Sequence, residues 1–195
     1  KKVQTLKAAY DDAKRNCGVA GVDRVDFQHI ETEGRERFLL EISAELSDGA
    51  YRPLPYKKLE IPKGGGRVRT ISIPTIRDRV VQGAFKLILE PIFEADFSDS
   101  SMGARPGRSA HEAVNRVQQA LHRRKHRVAD VDLASFFDNI RHEVLLKRMA
   151  KRIRDGEVLA SIKMFLKRGG KRGIPQGSPL SPLLANIALD ELDHA

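Results

Sequence analysis

The sequence predicts an α+β fold made of antiparallel hairpins with several helices. Three observations lead there. Apolar residues recur at helical spacing in several separate stretches. A glycine run, KGGG at 63–66, divides two short extended runs and reads as a hairpin turn. The order of elements is helix, hairpin, helix, helix, strand, helix, hairpin, helix. It lacks the repeated strand–helix–strand alternation of a doubly wound sheet.

Residues 1–16 read as a short helix with Val3, Leu6, Ala9 and Tyr10 on one side. The glycine-containing stretch CGVAGVDRVDF then reads as a loop, and a helix follows from about Glu31 to Leu46, striped by Phe38, Leu39, Ile42 and Leu46. The hairpin arms are about Leu54–Ile61 and Val68–Ile73. A helix begins near Thr75, where Asp78 three residues on completes a cap, and its apolar face is Val81, Ala84, Phe85, Ile88, Leu89 and Ile92. Residues 95–108 are polar, punctuated by Gly and Pro, and read as loop. Ser109 and Glu112 form a second capping box that opens a helix to about His122. Residues 127–133 read as a strand. Helices follow from Arg141 to about Ile153 and through Val158–Leu166. KRGGKRG at 167–173 reads as a second hairpin tip, and Pro179 and Pro182 open a last helix.

Composition narrows the function. There are 35 lysines and arginines against 26 acids, a formal net charge of +9. Such an excess suits a polyanionic partner. It is dense at 122–127, HRRKHR, and at 141–172, which holds eleven basic residues against three acids. Cys17 is the only cysteine, which excludes a disulfide framework and a cysteine zinc site and fits a reducing compartment. The six histidines show no ligand spacing. No apolar run reaches the roughly 18 residues of a membrane span, so no membrane partner is expected. The first residues are charged and lack a signal peptide's apolar centre. The chain does not begin with methionine, and a processed or excised piece is expected.

The most informative stretch is ADVDLASFFDNI, 129–140. On a strand, Asp130 and Asp132 share one face while Ala129, Val131 and Leu133 point to the core. Carboxylates at a strand end suit Mg²⁺, and two such ions about 4 Å apart can clamp the attacking and leaving oxygens at phosphorus. Asp138 starts a helical run and reads as a helix-terminus carboxylate. Asp130 reads equally as a ligand or a surface residue. About forty residues on comes GIPQGSPLSPLLANIALDELD, 173–193. Gly177 allows close backbone approach, and the helix start offers free amides to an anion.

With these two motifs the chain resembles a group II intron-type (maturase) reverse transcriptase. The resemblance also rests on IPKGGGRVRTISIPTIRDRVVQGAFKLILEPIFEADF (61–97) and GARPGRSAHEAV (103–114). It implies the fingers and partial palm of a right-hand polymerase. Residues 1–50 would be an amino-terminal extension with fingers helices, 51–125 fingers, and 126–195 partial palm. It implies RNA-directed DNA polymerase activity on an RNA template with a DNA primer and dNTP, using two Mg²⁺ ions. Asp132 would be the catalytic metal ligand and the Leu133 carbonyl would complete one ion's shell. Lys63 and Arg69 would grip the triphosphate. Ser135 and Phe136 would offer backbone amides, and Phe137 would be the steric gate favouring deoxyribose. Gln176 and Gly177 would contact the incoming nucleotide and the template base, and Arg105 and Arg108 would line the nucleic-acid track. A cytoplasmic location of bacterial or organellar type follows.

Three departures qualify the likeness. Met102 and Ala104 stand where the family carries aromatics around the glycine of its RPGRS segment. The amino-terminal extension is looser than the glycine-rich pattern of the family. The second acidic motif, an aromatic-alanine-aspartate-aspartate turn, does not occur, nor does a thumb. The expectation is a piece that binds nucleic acid without polymerising and exposes apolar palm surface, so that it self-associates. The alternative is an RNA-binding splicing cofactor that holds structured intron RNA. An RNA-directed RNA polymerase is a third reading, which Phe137 disfavours. The host system, whether intron, CRISPR-associated or defence, is open at this point.

Overall fold

The computed structural model of the protein describes residues 2–194 except Cys17 and Gly64. Cys17 of the predicted loop and Gly64 of the predicted turn therefore lie outside the described residues. Among these residues the fold is mainly helical, with a single two-stranded antiparallel sheet.

Helix α1 spans Lys2–Arg15. It buries Leu6, Ala9, Tyr10 and Ala13, an i, i+3, i+4, i+7 stripe. The single helix expected from Glu31 to Leu46 is two, α2 (Phe27–Glu33) and α3 (Arg35–Ser47). Gly34 breaks it with φ 109, and its N–H closes α2 on the Ile30 carbonyl at 3.0 Å. Asp26 starts α2 earlier than expected by accepting from the His29 N–H at 2.8 Å.

Strands β1 (Lys57–Lys63) and β2 (Arg67–Ile73) form the predicted hairpin. Lys57 lies opposite Ile73 and Lys63 opposite Arg67. The first arm starts three residues later than expected, because the Leu54 N–H is spent on the Asp78 carboxylate at 3.0 Å. Helix α4 (Ile76–Glu94) starts at the predicted cap, with the Thr75 hydroxyl accepting from the Asp78 N–H at 3.1 Å. Its inner face differs from the expected stripe. Ile88 is 55% exposed, while Gln82 is fully buried.

Helix α5 (Ala110–His122) is capped by Ser109, whose hydroxyl accepts from the Glu112 N–H at 3.2 Å. None of its residues is buried. The expected strand at 127–133 does not form, and Val131, expected in the core, is 78% exposed. Alternating apolar residues can select a face, but a strand also needs a ladder partner. None of the described residues supplies one. Helices α6 (Phe136–Asn139), α7 (His142–Ala150) and α8 (Gly156–Gly169) follow. The second hairpin expected at 167–173 is absent too. Lys167 and Arg168 finish α8 instead, where cations suit the helix C-terminus, and Gly170 at φ 142 ends it. Helix α9 (Ser181–Asp193) carries Pro182 in its first turn.

One continuous core joins the helices other than α5, and neither α5 nor the hairpin contributes a residue to it. Helix α1 packs on α3 and α4, α4 on α9, and α7 on α8 and α9. Helices α4 and α9 thus join the α1–α3 side to the α7–α8 side. No helix among the described residues is long and apolar enough to cross a membrane.

Candidate nucleotide-binding site

Four of the sequence-predicted residues meet at one open cavity of about 800 Å³: Arg69, Phe137, Gln176 and Gly177. They come from β2, from α6, and from the turn before α9. Local sequence brings none of these segments together, so the contacts between them decide the site.

The turn at 176–178 docks directly on β2. The Ser72 N–H donates to the Gln176 carbonyl at 2.6 Å, and Arg69 Nε donates to Gln176 Oε1 at 2.8 Å. Gly177 adopts φ 107, and a Cβ there would lie 2.8 Å from Ile71 Cγ2 and 2.9 Å from the Ser72 carbonyl oxygen. Only glycine suits both the conformation and the clearance. On its inner side the turn is tied to α4, because the Ser178 hydroxyl donates to Gln82 Oε1. Gln82 Nε2 donates to the Tyr56 hydroxyl at 3.2 Å, which donates to the Phe165 carbonyl at 3.3 Å. Burial pushes the Tyr56 hydroxyl up to about 12, so it stays a neutral donor. Gln82 thus supports the turn from beneath, a contact that the apolar-stripe reading misses. Its signal was a polar side chain one step from that stripe.

A second tie positions Phe137. The Ile174 N–H donates to the Phe137 carbonyl at 2.8 Å, and the Gly173 N–H to the Ile140 carbonyl at 2.8 Å. A Cβ at Gly173 would lie 2.9 Å from Asp138 Cα, and φ is 83 there. His142 Nε2 pairs with the Gly173 carbonyl at 2.6 Å. Ser135 precedes α6 in the left-handed conformation, with φ 47 and ψ 44. Phe136 meets Phe137 edge-on, with ring centroids 5.9 Å apart.

The other predicted residues are placed elsewhere. Lys63 stands exposed at the end of β1 and does not line the cavity. The pairing of Ile61 with Arg69 and Lys63 with Arg67 puts Lys63 and Arg69 on one face of the hairpin. Asp132 and Leu133 are exposed in the unpaired 127–133 segment, outside the cavity lining. Arg105 was expected on a nucleic-acid track, yet it is 7% exposed. Its guanidinium holds the 95–109 loop together, bonding Glu94 through Nε and Nη2 and the Ser98 and Ser101 carbonyls through Nη1. Arg108 pairs with Asp99 at 2.7 Å and Glu112 at 3.1 Å, which raises the pKa of its guanidinium.

The fit to metal is incomplete. Among the described residues no group of three or more His, Cys, Asp or Glu side chains is placed to hold a metal ion. One carboxylate and one carbonyl do not make a pair of Mg²⁺ sites.

The family profile described as "Reverse transcriptase (RNA-dependent DNA polymerase)" matches residues 61–195. The chain is 37% identical over 193 residues to Protein YkfC of Escherichia coli (strain K12), covering 91% of this chain and 49% of that protein. It is 38% identical over 168 residues to Group II intron-encoded protein LtrA of Lactococcus lactis subsp. cremoris, covering 81% of this chain and 28% of that one. A solved structure described as "Partial Cas6-RT-Cas1--Cas2 complex" superimposes with a TM-score of 0.60 at 25% identity, covering 98% of this chain and 33% of its own. The chain thus spans half or less of the length of each of these relatives.

Proposed function

Because the chain belongs to the reverse transcriptase family, of the group II intron type, we propose that the protein containing it is an RNA-directed DNA polymerase. The observation that carries this reading is the cavity shared by Arg69, Phe137, Gln176 and Gly177. Its substrates are an RNA template, a DNA primer and dNTP. We assign residues 1–50 to an amino-terminal extension with fingers helices, 51–125 to fingers and 126–195 to partial palm.

The roles are those the family resemblance implies, and the chemistry of each side chain supports them. Arg69 presents a planar, permanently charged fork to the triphosphate, and Gln176 orients it through Nε. Lys63, on the same hairpin face, adds a second cation. The Ser135 and Phe136 amides face the phosphates. The Phe137 ring occupies the volume that a ribose 2′-hydroxyl would need. Arg108 contacts the nucleic-acid backbone, while Arg105 acts by shaping the loop around it. Asp132 and the Leu133 carbonyl are assigned as Mg²⁺ ligands. They complete neither ion's shell, so the chemistry depends on carboxylates from elsewhere in the protein. Mg²⁺, once bound, would stabilise charge at the reacting phosphate. We place the protein in a cytoplasmic compartment of bacterial or organellar type.

Primer extension tests the reading. The full-length protein with primer–template, dNTPs and Mg²⁺ is expected to synthesise DNA, and Asp132→Asn to abolish synthesis while leaving thermal stability unchanged. The 195-residue chain alone is expected to bind primer–template without extending it. Robust extension by that chain would overturn its assignment as an incomplete site. A second role, holding structured intron RNA as a splicing cofactor, draws support from a relative named "Nuclear intron maturase 1, mitochondrial" of Arabidopsis thaliana. Tight binding to one such RNA, with no synthesis by the full-length protein, would favour that role alone.

A further inference from the structure

The loop after α1 packs on the start of α4 with almost no clearance. A Cβ at Gly21 would lie 2.7 Å from Thr75 Cα and 2.8 Å from Thr75 N. A Cβ at Gly18 would fall 1.7 Å from Arg79 Nη1 and 2.5 Å from its Cζ. The Arg79 guanidinium therefore occupies space that any larger residue at 18 would claim. Its Nη2 donates to the Val19 carbonyl at 3.0 Å and the Pro74 carbonyl at 3.3 Å. One side chain so ties the loop backbone to the segment joining β2 and α4.

This placement is costly. Arg79 Nη1 is buried with no partner among the described residues. Burial lowers the pKa of the guanidinium, and Asp23 offsets part of that. Arginine keeps its charge even so, and a partly desolvated charge without a close carboxylate is a poor way to gain packing. The expense points to a task. Gly18, Val19 and Arg79 all line the same cavity as Arg69 and Phe137.

We propose that Arg79 is a positioning residue that latches the 18–22 loop as a wall of the nucleotide cavity, and so sets the grip of the cavity on the incoming nucleotide. The proposal rests on the reading of that cavity as the nucleotide site. The loop is the wall, and Arg79 is what keeps it in place.

Two variants of the full-length protein test it. Arg79→Leu removes both carbonyl bonds. Gly18→Ala displaces the guanidinium without altering α4, and its backbone needs no left-handed conformation. Trypsin reads the loop at exposed Arg24, and exposed Lys171, in another segment, serves as the reference. Both variants are expected to speed cleavage after Arg24 by roughly tenfold while the Lys171 rate stays put. Both should raise the dNTP KM in primer extension by roughly fivefold with little change in kcat. The double variant should be no worse than either single one, since both break one contact. Arg79→Lys, which keeps a charge but not the fork, should restore only part of the effect. Unchanged cleavage after Arg24, or parallel acceleration at Lys171, overturns the latch. Faster cleavage with an unmoved KM overturns the positioning role. If the parent protein incorporates no nucleotide at all, the cavity reading fails, and the trypsin result still decides the latch.

Discussion

At the scale of single residues, Phe137 is held by its backbone more than by its ring. Its carbonyl is bonded to Ile174, and its neighbour Asp138 lies over Gly173 with no room for a Cβ. Truncating the ring therefore empties volume without releasing the chain. Phe137→Ala in the full-length protein, if it acts as proposed, is expected to raise ribonucleotide use relative to deoxyribonucleotide use by about 10- to 100-fold in kcat/KM. The measurement is the ratio of the two specificity constants, and an unchanged ratio removes the gate role. Arg105 teaches the opposite lesson. The family resemblance puts Arg105 on a nucleic-acid track, yet its donors are taken by Glu94, Ser98 and Ser101.

At the scale of elements, the start of α4 is organised by a buried carboxylate. Asp78 accepts from the Tyr51 hydroxyl, from the Thr75 hydroxyl at 2.8 Å and from the Leu54 N–H at 3.0 Å. Burial raises its pKa above the ordinary 3.8, and these bonds oppose the rise. A raised value means that the native state favours the protonated acid. The stability contributed by Asp78 is then fully present below pH 3.8 and is lost as pH rises through its raised folded value. Asp78→Asn cannot titrate, and it turns an amide donor toward one of the three donors. It is expected to cost about 1–3 kcal/mol. Its deficit against the parent in urea unfolding should be largest in acid and shrink as pH rises; a deficit growing with pH would reverse the assignment. This cap was legible in the sequence, because Thr75 and Asp78 carry a local signal. So was the hairpin, through its glycine turn. The break at Gly34 was hidden because the apolar stripe runs on through it. The 127–133 segment forms no strand because its alternation lacks a ladder partner among the described residues. The meeting of Phe137 with Gln176 was beyond local pattern altogether, since it depends on the ties through Gly173, Ile174 and Ser72.

At the scale of the molecule, the accessible surface is 12715 Å² for 21.8 kDa. A compact monomer of that mass exposes about 9,300 Å². Helix α5 and the 127–133 segment account for much of the openness, because neither buries a residue. Charge dominates the exterior, with a net +9. Binding of a structureless RNA or DNA by this chain is expected to weaken by orders of magnitude between about 50 and 200 mM salt. Fluorescence anisotropy across that range checks it, and a flat response would mean that phosphates are not the main contact.

The segment from Gly173 to Gly177 has a consequence for engineering. It is pinned at one end beneath Asp138 and at the other against Ile71 and Ser72. It works as a spacer of fixed length between the hairpin and the ring of Phe137. Each residue added or removed there shifts one anchor against the other by about 3.3–3.6 Å if the segment stays extended. The five residues of the spacer should keep their number even when their side chains are redesigned.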